Sequence, residues 1–469
     1  MNHRERVLMA LHHQEPDRVP IDLGGTDVSS IMIKPYSDLR QHLGLGLGVL
    51  QMPDVYQQIV TTEEDLRRVF DTDTLFVFHE PREWRKATVS DGILASVPAR
   101  FQPKLEADGS QVLFNPSGDA VARMPLGGLY FDPIYSPLAN ATSVDDIERR
   151  QDDIENYETP FFLDRSYEQL AEKARDLREK SDYLMVGFFG GHIFQASQYI
   201  RGFTNFLMDL VENPTFAEAL MDRLVEANVR RFDRFAACIG PFIDIVEVED
   251  DLGMQDRPMI SPALYRARVK PYHDRLYGYI KSHCDSLLFL HTDGAIEPFI
   301  PDFIEMGIDA LNPIQVSAAG MDTKALKRSY GKEIAFWGAG CDSQAVLPFG
   351  TPEEVADEVK RRIDDLAPGG GYVFAPIHNI QDGVPPQNIV ALLETAMDYG
   401  VYRDFGMMSA AHALAASCRQ GRHVLGARFG HGDPPCPNRP WSVLRSRRLA
   451  NRAGGVPRLR LFMGLQATL

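Results

Sequence analysis

Short apolar runs that stop abruptly on polar residues recur along the second half of the chain, and stretches with helical spacing separate them. The clearest run is LLFLHTDG, residues 287–294, whose length and composition are typical of a buried strand. Residues two apart along a strand share a face, so His291 and Asp293 are predicted to point the same way. Three later runs have the same form: IDALNPIQ at 308–315, EIAFWGAGCD at 333–342 and GYVFAPIHN at 371–379.

The stretches between these runs carry the spacing of amphipathic helices. TPEEV is a helix-start signature, with Thr351 as N-cap, Pro352 at the first position and Glu354 three residues after the cap. This helix is predicted to continue to Leu366. Further helices are predicted over 3–13, 164–180, 214–238 and 262–282, and a further strand over 243–251.

This alternation of strands and helices predicts an α/β fold with a parallel sheet. Polar residues at several strand ends favour a closed (β/α)₈ TIM barrel, which is expected to occupy residues 1–403. An open doubly wound sheet is the alternative, although no G-x-G-x-x-G follows an early strand. Residues 84–135 differ from the rest because their short strand-like runs and many turns predict an insertion.

The final stretch, residues 404–469, differs in composition as well as in pattern. It carries ten Arg, no Lys, no Glu and two Asp, and it shows no sustained helical or strand period. The first interpretation is a disordered C-terminal tail. A basic arm that binds an acidic partner is one alternative, and a segment that is not selected for folding, such as an out-of-frame read-through, is another.

Composition narrows the class of protein. Charged residues are 24% and hydrophobic ones 44%, and no apolar run approaches the ~18 residues that a membrane span needs. Charges in the first twenty residues occupy the place of a signal peptide's apolar centre, so a cytoplasmic location is expected. The net charge of -16 makes nucleic acid and anionic membranes poor partners. Five cysteines without C-x-x-C spacing argue against a disulfide framework.

The strongest candidate site combines His291, Asp293 and His378, each at the carboxyl end of a predicted parallel strand. In a barrel these ends converge on one mouth, so residues distant in sequence become neighbours. Two imidazoles and a carboxylate suit zinc, and three protein ligands with an open position are what a catalytic zinc site requires. Histidines hydrogen-bonded in the mouth without a metal are one alternative, and metal-free acid/base catalysis is the other.

A second candidate cluster is formed by Glu247, Glu249 and Asp250, near the end of the strand over 243–251. Acids that point into a barrel are costly unless they are paired or coordinated, which indicates a site. Pairing with Arg or Lys from adjacent strands is the alternative. Asp73, near the start of an early strand, is expected to be either a proton donor or a turn cap. Cys341 is expected to be either a thiolate ligand or a buried thiol.

Several segments, taken in order, resemble the uroporphyrinogen decarboxylase superfamily. They are RERVLMALHHQEPDRVPI, FLMDLVENPTF, LFLHTDG, GIDALNPIQ, LPFGTPEEV and PPQNIVALLETA, and the resemblance runs from about residue 3 to residue 402. It implies a (β/α)₈ barrel and an enzyme, because the superfamily comprises decarboxylases and methylcobalamin-dependent methyltransferases.

The two branches are similar to this chain in different places. The decarboxylases carry an R-Q-A-G-R-Y motif that holds the substrate's carboxylates, whereas the comparable region here reads LGGTDVSSIM, without arginine. Asp73 in DTDTL nevertheless matches their F-S-D-I-L aspartate, and His378 matches the histidine of their closing strand. The methyltransferases carry H-x-C-G and a later Cys. This sequence keeps His291 and Gly294, has Asp293 in place of the first Cys, and has His378 at or beside the second.

The resemblance implies, as a hypothesis, metal-assisted methyl transfer between a corrinoid protein and a small acceptor or methoxylated donor. Zinc would occupy the His–Asp–His set, methylcobalamin would arrive on a partner protein, and Glu247, Glu249 or Asp250 would relay the proton. A small-molecule substrate is expected, and a homodimer is left open. Decarboxylation of uroporphyrinogen III to coproporphyrinogen III is the alternative, and a barrel that only binds a ligand is the third interpretation.

Overall fold

The computed structural model describes residues 1–89, 92–157 and 166–402, and its centre is a curled parallel sheet of seven strands. The strands lie side by side in chain order, as a barrel of consecutive βα units requires. The barrel strands are β1 (Thr74–Val77), β2 (Leu184–Gly190), β3 (Ile245–Glu249), β4 (Leu287–His291), β5 (Ala310–Asn312), β6 (Ala335–Ala339) and β7 (Tyr372–Ala375).

An extended segment around Ile21 closes the ring between the last strand and the first. Ile21 forms a parallel bridge with Phe374 of β7, and the N–H of Phe374 donates to the carbonyl of Pro20 at 2.9 Å. On its other side, the carbonyl of Ile21 accepts from the N–H of Asp73, just before β1, at 2.7 Å. The predicted TIM-barrel fold is therefore confirmed as a curled sheet of seven strands, in which this extended segment stands in the place of an eighth strand.

Helices connect the strands and cover the outside of the barrel. The predicted capping box is present, because the side chains and backbone N–H groups of Thr351 and Glu354 bond reciprocally, and that helix ends at Leu366 as predicted. The helices are His3–Leu11, Ile33–His42, Glu64–Val69, Asp145–Arg149, Gln151–Glu155, Tyr167–Lys180, Phe194–Arg201, Phe203–Glu212, Pro214–Ile239, Pro262–Arg268, Lys270–His283, Ile300–Glu305, Thr323–Tyr330, Val346–Phe349, Pro352–Leu366 and Pro386–Tyr399.

One predicted helix is divided in the structure. The stretch 262–282 forms two helices that meet at Val269, because Pro271 has no N–H for a continuous helical ladder and is accommodated only near a helix start. The beginning of the helix predicted over 164–180 and the tail at 404–469 lie outside the described residues. Among the residues that are described, no helix is both long enough and apolar enough to cross a membrane.

The insertion predicted over 84–135 is confirmed as short strands at the barrel mouth. It forms an antiparallel sheet of four strands, and it contributes an antiparallel pair to a three-stranded sheet whose third strand, Leu50–Gln51, is parallel. Aromatic and polar residues from them, such as Tyr130 and Asp132, line the cavity described below. The strands outside the barrel are Ile31–Met32, Leu50–Gln51, Ile59–Val60, Trp84–Thr88, Leu94–Pro98, Lys104–Leu105, Gln111–Phe114, Ala120–Met124 and Asp132–Pro133.

Alternate residues of the barrel strands point inward and fill the lower half of the barrel with apolar side chains. Phe289 of β4 packs edge-to-face on Trp337 of β6, with ring centroids 5.2 Å apart. Val7 and Leu11 of the N-terminal helix join this inner cluster from below. The helix therefore closes the amino-terminal end of the barrel, and chemistry is left to the opposite end.

Asp73 lies at this closed end, which corrects its expected catalytic role. Its carboxylate is fully buried and is bound by the guanidinium groups of Arg6 and Arg18 at 2.6 and 2.7 Å, by His3 at 2.9 Å and by the N–H of Ile21 at 2.7 Å. The residue precedes β1, so a strand length separates it from the mouth. The match to F-S-D-I-L gave a wrong prediction because it does not show at which end of the strand the aspartate lies.

We expect Asp73→Asn to lower the free energy of unfolding by about 3–5 kcal/mol, because Arg6 and Arg18 lose their buried counter-charge and keep only the more exposed Asp17 and Asp71. Urea denaturation at pH 7 measures this. The matched control is Asp71→Asn, whose half-exposed carboxylate pairs with Arg18 from the outside and should cost less than about 1 kcal/mol. Equal losses in the two variants would contradict the assignment.

The same ion network sets a pH dependence. Burial would raise the pKa of Asp73, but the hydrogen bond from His3 and the charge of Arg18 outweigh it and hold that pKa below its usual value. A carboxylate with a depressed pKa contributes stability above its unfolded pKa of about 3.9 and loses that contribution as the pH falls further. The difference between wild type and Asp73→Asn should therefore shrink below about pH 4.

Candidate active site

A cavity of about 1000 Å³ opens at the carboxyl ends of the barrel strands. Glu249, His291 and Asn312 are the last residues of β3, β4 and β5, and they are paired in register across the three strands. Glu249 and His291 both line the cavity, together with Asp293 and His378 from the segments that follow β4 and β7. The convergence expected of the strand ends is confirmed.

The two histidines and the aspartate face one another closely. The Nε2 atoms of His291 and His378 lie 3.9 and 4.0 Å from Oδ2 of Asp293, and the two imidazole rings are 5.9 Å apart. One ligand atom from each residue lies within 4.8 Å of the others. Metal binding by this set stays a prediction, but its geometric requirement is met.

Gly294 explains how Asp293 reaches this position. The backbone of Gly294 has a φ of +91°, and a Cβ atom there would lie 2.5 Å from the carbonyl carbon of Gly253. Only glycine fits such a close approach of two chains in this conformation. The glycine of the HTDG run therefore lets the chain turn immediately after the strand.

Asn312 orients His291. Its amide N–H₂ donates to the carbonyl of Trp337 at 3.1 Å, which turns its Oδ1 toward Nδ1 of His291 at 2.7 Å. The Nδ1–H of His291 therefore donates to Asn312, and Nε2 is the ring nitrogen that faces Asp293. A ligand histidine fixed through its second nitrogen is the usual arrangement around protein-bound metals.

The donor set fits a zinc ion. Bonds of about 2.0–2.2 Å in a tetrahedron place ligand atoms roughly 3.3–3.5 Å apart, so the two separations between histidine nitrogen and aspartate oxygen need to close by about half an ångström. Within the described part of the chain, Oδ1 of Asp293 is buried without a hydrogen-bond partner. A buried carboxylate oxygen without a partner is costly unless something positively charged approaches it.

Neighbouring carboxylates and burial shift the pKa values of the two histidines in opposite directions. Burial alone would lower the pKa of His291, but the carboxylates of Asp293, Glu249 and Asp251 outweigh it and raise that pKa to about 9. Burial lowers the pKa of His378. Burial and the charge of Asp293 raise the pKa of Asp251 to about 6. The cluster thus attracts one positive charge, either a proton on His291 or a metal ion.

Glu247 and Glu249 share the inward face of β3, and the acid cluster they form includes Asp27 from the N-terminal segment. One oxygen from each carboxylate lies within 4.8 Å of the others. Glu247 is completely buried, and neither of its oxygens has a hydrogen-bond partner among the described residues. Burial raises the pKa values of both Glu247 and Asp27. The expected pairing of these acids with Arg or Lys does not account for Glu247.

Asp250 does not face the cavity, which corrects its expected catalytic role. Its carboxylate accepts from the backbone N–H groups of residues 193, 194 and 195 at 2.6–2.8 Å and contacts Nε2 of His273 at 2.9 Å. It therefore holds the start of the helix Phe194–Arg201, where a negative charge is favourable. Strand alternation is the physical reason, because residues 247, 249 and 251 point inward and residue 250 points outward.

Four residues of the site were not anticipated from the sequence, and one of them is His192, which lines the cavity and contacts Glu249 at 3.2 Å. Asp251 lines the cavity, accepts from the N–H of Asp293 at 2.9 Å and lies 4.0 Å from Nε2 of His291. Applying the period of two from Glu247 onward would have selected it instead of Asp250. Asn312 follows IDAL in the IDALNPIQ run and is the last residue of β5, and a polar residue was visible there in the sequence. Asp27 follows a glycine turn, and no pattern in the sequence around it predicted a functional role.

Cys341 lies outside the cavity lining. It is buried, and its Sγ contacts the carboxylate of Glu358 at 3.8 Å. Burial raises the pKa of this thiol, so a thiolate is disfavoured. Of the two interpretations of Cys341, the structure supports a buried thiol.

The sequence and the fold are similar to those of known proteins. The uroporphyrinogen decarboxylases of Pseudoalteromonas translucida and Xylella fastidiosa are 24% identical over 232 residues and 28% identical over 151 residues. These matches cover 47% and 29% of this chain and 60% and 38% of those proteins, so the chain spans less than two thirds of either relative. A methyltransferase from Methanosarcina mazei has a similar fold, with a TM-score of 0.51 at 16% identity over 85% of this chain and 99% of that one.

The sequence profile of one family matches more than half of the chain. Residues 139–399 match the family described as uroporphyrinogen decarboxylase (URO-D), and this range contains all barrel strands from β2 to β7 as well as the histidine and aspartate cluster. This chain therefore belongs to the uroporphyrinogen decarboxylase family.

Proposed function

We propose that this enzyme catalyses metal-assisted methyl transfer between a corrinoid protein and a small acceptor or methoxylated donor. The observation that carries the proposal is the convergence of three ligand atoms, from His291, Asp293 and His378, at the wall of an open cavity. Three protein ligands that leave a position free are typical of catalytic zinc. The fold shared with a methyltransferase is compatible with this reaction.

The charge of the cavity disfavours the decarboxylase alternative. Among the described residues, nine carboxylates line it, against three Arg or Lys residues: Arg67, Lys173 and Arg231. Lys173 is already paired with Glu80. A substrate with eight carboxylates needs cationic partners and would be repelled by this lining. The names of the curated relatives favour decarboxylation, so that reaction remains the second candidate.

The size of the cavity is suited to two reactants. About 1000 Å³ is the upper end of the volume usual for a small-ligand pocket. A small acceptor next to His291 would leave most of the space free. The methyl carrier presented by a partner protein can then approach through the open mouth.

The residues of this chain would position the acceptor and handle its proton. A divalent ion held by the His–Asp–His set supplies a Lewis acid that lowers the pKa of the acceptor or polarises the methyl-bearing atom. His192 lines the cavity, and its Nε2 lies 3.2 Å from Oε2 of Glu249. This pair is placed to accept the proton that the acceptor loses. Asn312 keeps Nε2 of His291 directed at the cluster.

We expect the purified protein to contain one zinc ion per chain and His378→Ala to lose it, because two ligands hold zinc far more weakly than three. Elemental analysis after dialysis measures the content. His192→Ala removes a cavity histidine outside the cluster and is the matched control, which should keep its zinc. A metal-free wild type, or equal loss in both variants, would remove the proposal.

Asn312 gives a sharper test of how the cluster is organised. Asn312→Leu removes the acceptor of the His291 Nδ1–H and is expected to weaken zinc binding by about 10–100-fold. Asn312→Asp retains an oxygen at that position and should keep tight binding. A competition titration with a chromophoric chelator measures both affinities. Equal affinities in the two variants would mean that Asn312 does not orient the ligand.

The reaction itself is tested with two substrates on one preparation of the full chain. We expect methyl transfer from a methylated corrinoid carrier to an added small acceptor, such as a thiol, to depend on His291, and we expect no coproporphyrinogen from uroporphyrinogen III under anaerobic conditions. The first is followed by the corrinoid absorbance and the second by porphyrin fluorescence after oxidation. Porphyrin product without methyl transfer would establish the decarboxylase reading.

A further inference from the structure

Glu247 differs from the other buried carboxylates of the barrel. Asp73 and Asp250 are equally buried, and each accepts at least four hydrogen bonds or ion pairs from the surrounding protein. Both oxygens of Glu247 are also fully buried, yet they have no hydrogen-bond partner among the residues that the structure describes. A buried carboxyl without a partner is stable either as the neutral acid or as a carboxylate with a cation at its oxygens.

The two nearest acids make the local charge more negative. Asp27 and Glu249 each bring one oxygen to within 4.8 Å of an oxygen of Glu247. Asp27 comes from the N-terminal segment and Glu249 from the same face of β3, so the three carboxylates approach from two separate parts of the chain. Positive charge must therefore come from outside this set. His192 contacts Glu249 at 3.2 Å, but neither it nor any other described residue bonds to the oxygens of Glu247.

From this geometry we propose that Asp27, Glu247 and Glu249 bind a hard divalent cation of the Mg²⁺, Mn²⁺ or Ca²⁺ class. Such ions take oxygen ligands at about 2.0–2.6 Å, so donor atoms on opposite sides of one ion lie roughly 4–5 Å apart. The 4.8 Å limit on the three oxygens is compatible with this. An all-oxygen set without imidazole or thiolate favours these ions over zinc.

The site formed by Asp27, Glu247 and Glu249, called the inner cation site below, shares no residue with the His–Asp–His set. It does not depend on the proposed methyl transfer. Glu249 touches both regions, since its residue pairs in register with His291 and its carboxylate contacts His192. A carboxylate has two oxygens, so Glu249 can bind the inner cation through one and keep His192 through the other. The cation would then fix the position of the residue that holds His192 at the cavity wall.

Mn²⁺ binding to the full chain tests the proposal. The protein is stripped with a chelator, supplied with one equivalent of zinc and titrated with Mn²⁺, whose free fraction is read by electron paramagnetic resonance. We expect one Mn²⁺ per chain and at least tenfold weaker binding in Glu247→Gln. Asp132→Asn removes a carboxylate elsewhere in the same cavity and should bind Mn²⁺ as the wild type does.

Further variants separate this site from its neighbour and from a folding defect. His378→Ala should lose zinc but keep Mn²⁺, and Asp27→Asn should repeat the loss seen in Glu247→Gln. Without Mn²⁺, Glu247→Gln should melt no lower than the wild type, because an amide of the same shape replaces a carboxyl that has no hydrogen-bond partner among the described residues. Added Mn²⁺ should raise the melting temperature of the wild type but not of that variant.

Three outcomes would overturn the inner cation site. The first is that the wild type takes up no Mn²⁺. The second is that Glu247→Gln binds Mn²⁺ as tightly as the wild type does. The third is that Mn²⁺ binding is lost in His378→Ala instead. None of these results bears on methyl transfer, which is measured with the corrinoid carrier. Conversely, failure of the methyl-transfer assay leaves the Mn²⁺ titration interpretable.

Discussion

Closure of the barrel by the backbone around Ile21 is the constraint on which the site depends. This segment hydrogen-bonds to β7 on one side and to the residue before β1 on the other. A closed ring fixes which end of every strand faces the mouth, and strand alternation then fixes which side chains face the interior. His291, Glu249 and Asn312 meet because their strands are held in one register. The N-terminal segment thus helps to position the site residues, although most of them lie on or after other strands.

Buried carboxylates perform different tasks in this barrel. Asp73 is neutralised by two arginines and secures the junction where the ring closes. Asp250 binds the start of a helix and a histidine on the outer side of β3. Glu247, on the inner side of the same strand, has no protein partner among the described residues. The first two are explained by the protein itself, whereas the third needs something that the protein does not supply.

The two clusters in the mouth share one electrostatic character. Carboxylates raise the pKa of His291, and the lining of the cavity is dominated by acids. Such a surface favours cations and polarisable neutral molecules over a highly anionic substrate. Membership of the uroporphyrinogen decarboxylase family therefore accounts for the barrel, whereas the reaction depends on the residues at its mouth.

Local periodicity and turn chemistry were enough to predict the α/β alternation, the capping box at Thr351 and the positions of His291, Asp293 and His378 at or just after the ends of strands. Which acids face the cavity, in contrast, depends on how the strands assemble. Asp250 and Asp73 were misassigned, since strand parity and strand end are properties of the assembled sheet. Asp27 was missed, because its contact with Glu247 joins segments more than two hundred residues apart in the chain. No local pattern records a contact that exists only when the ring closes.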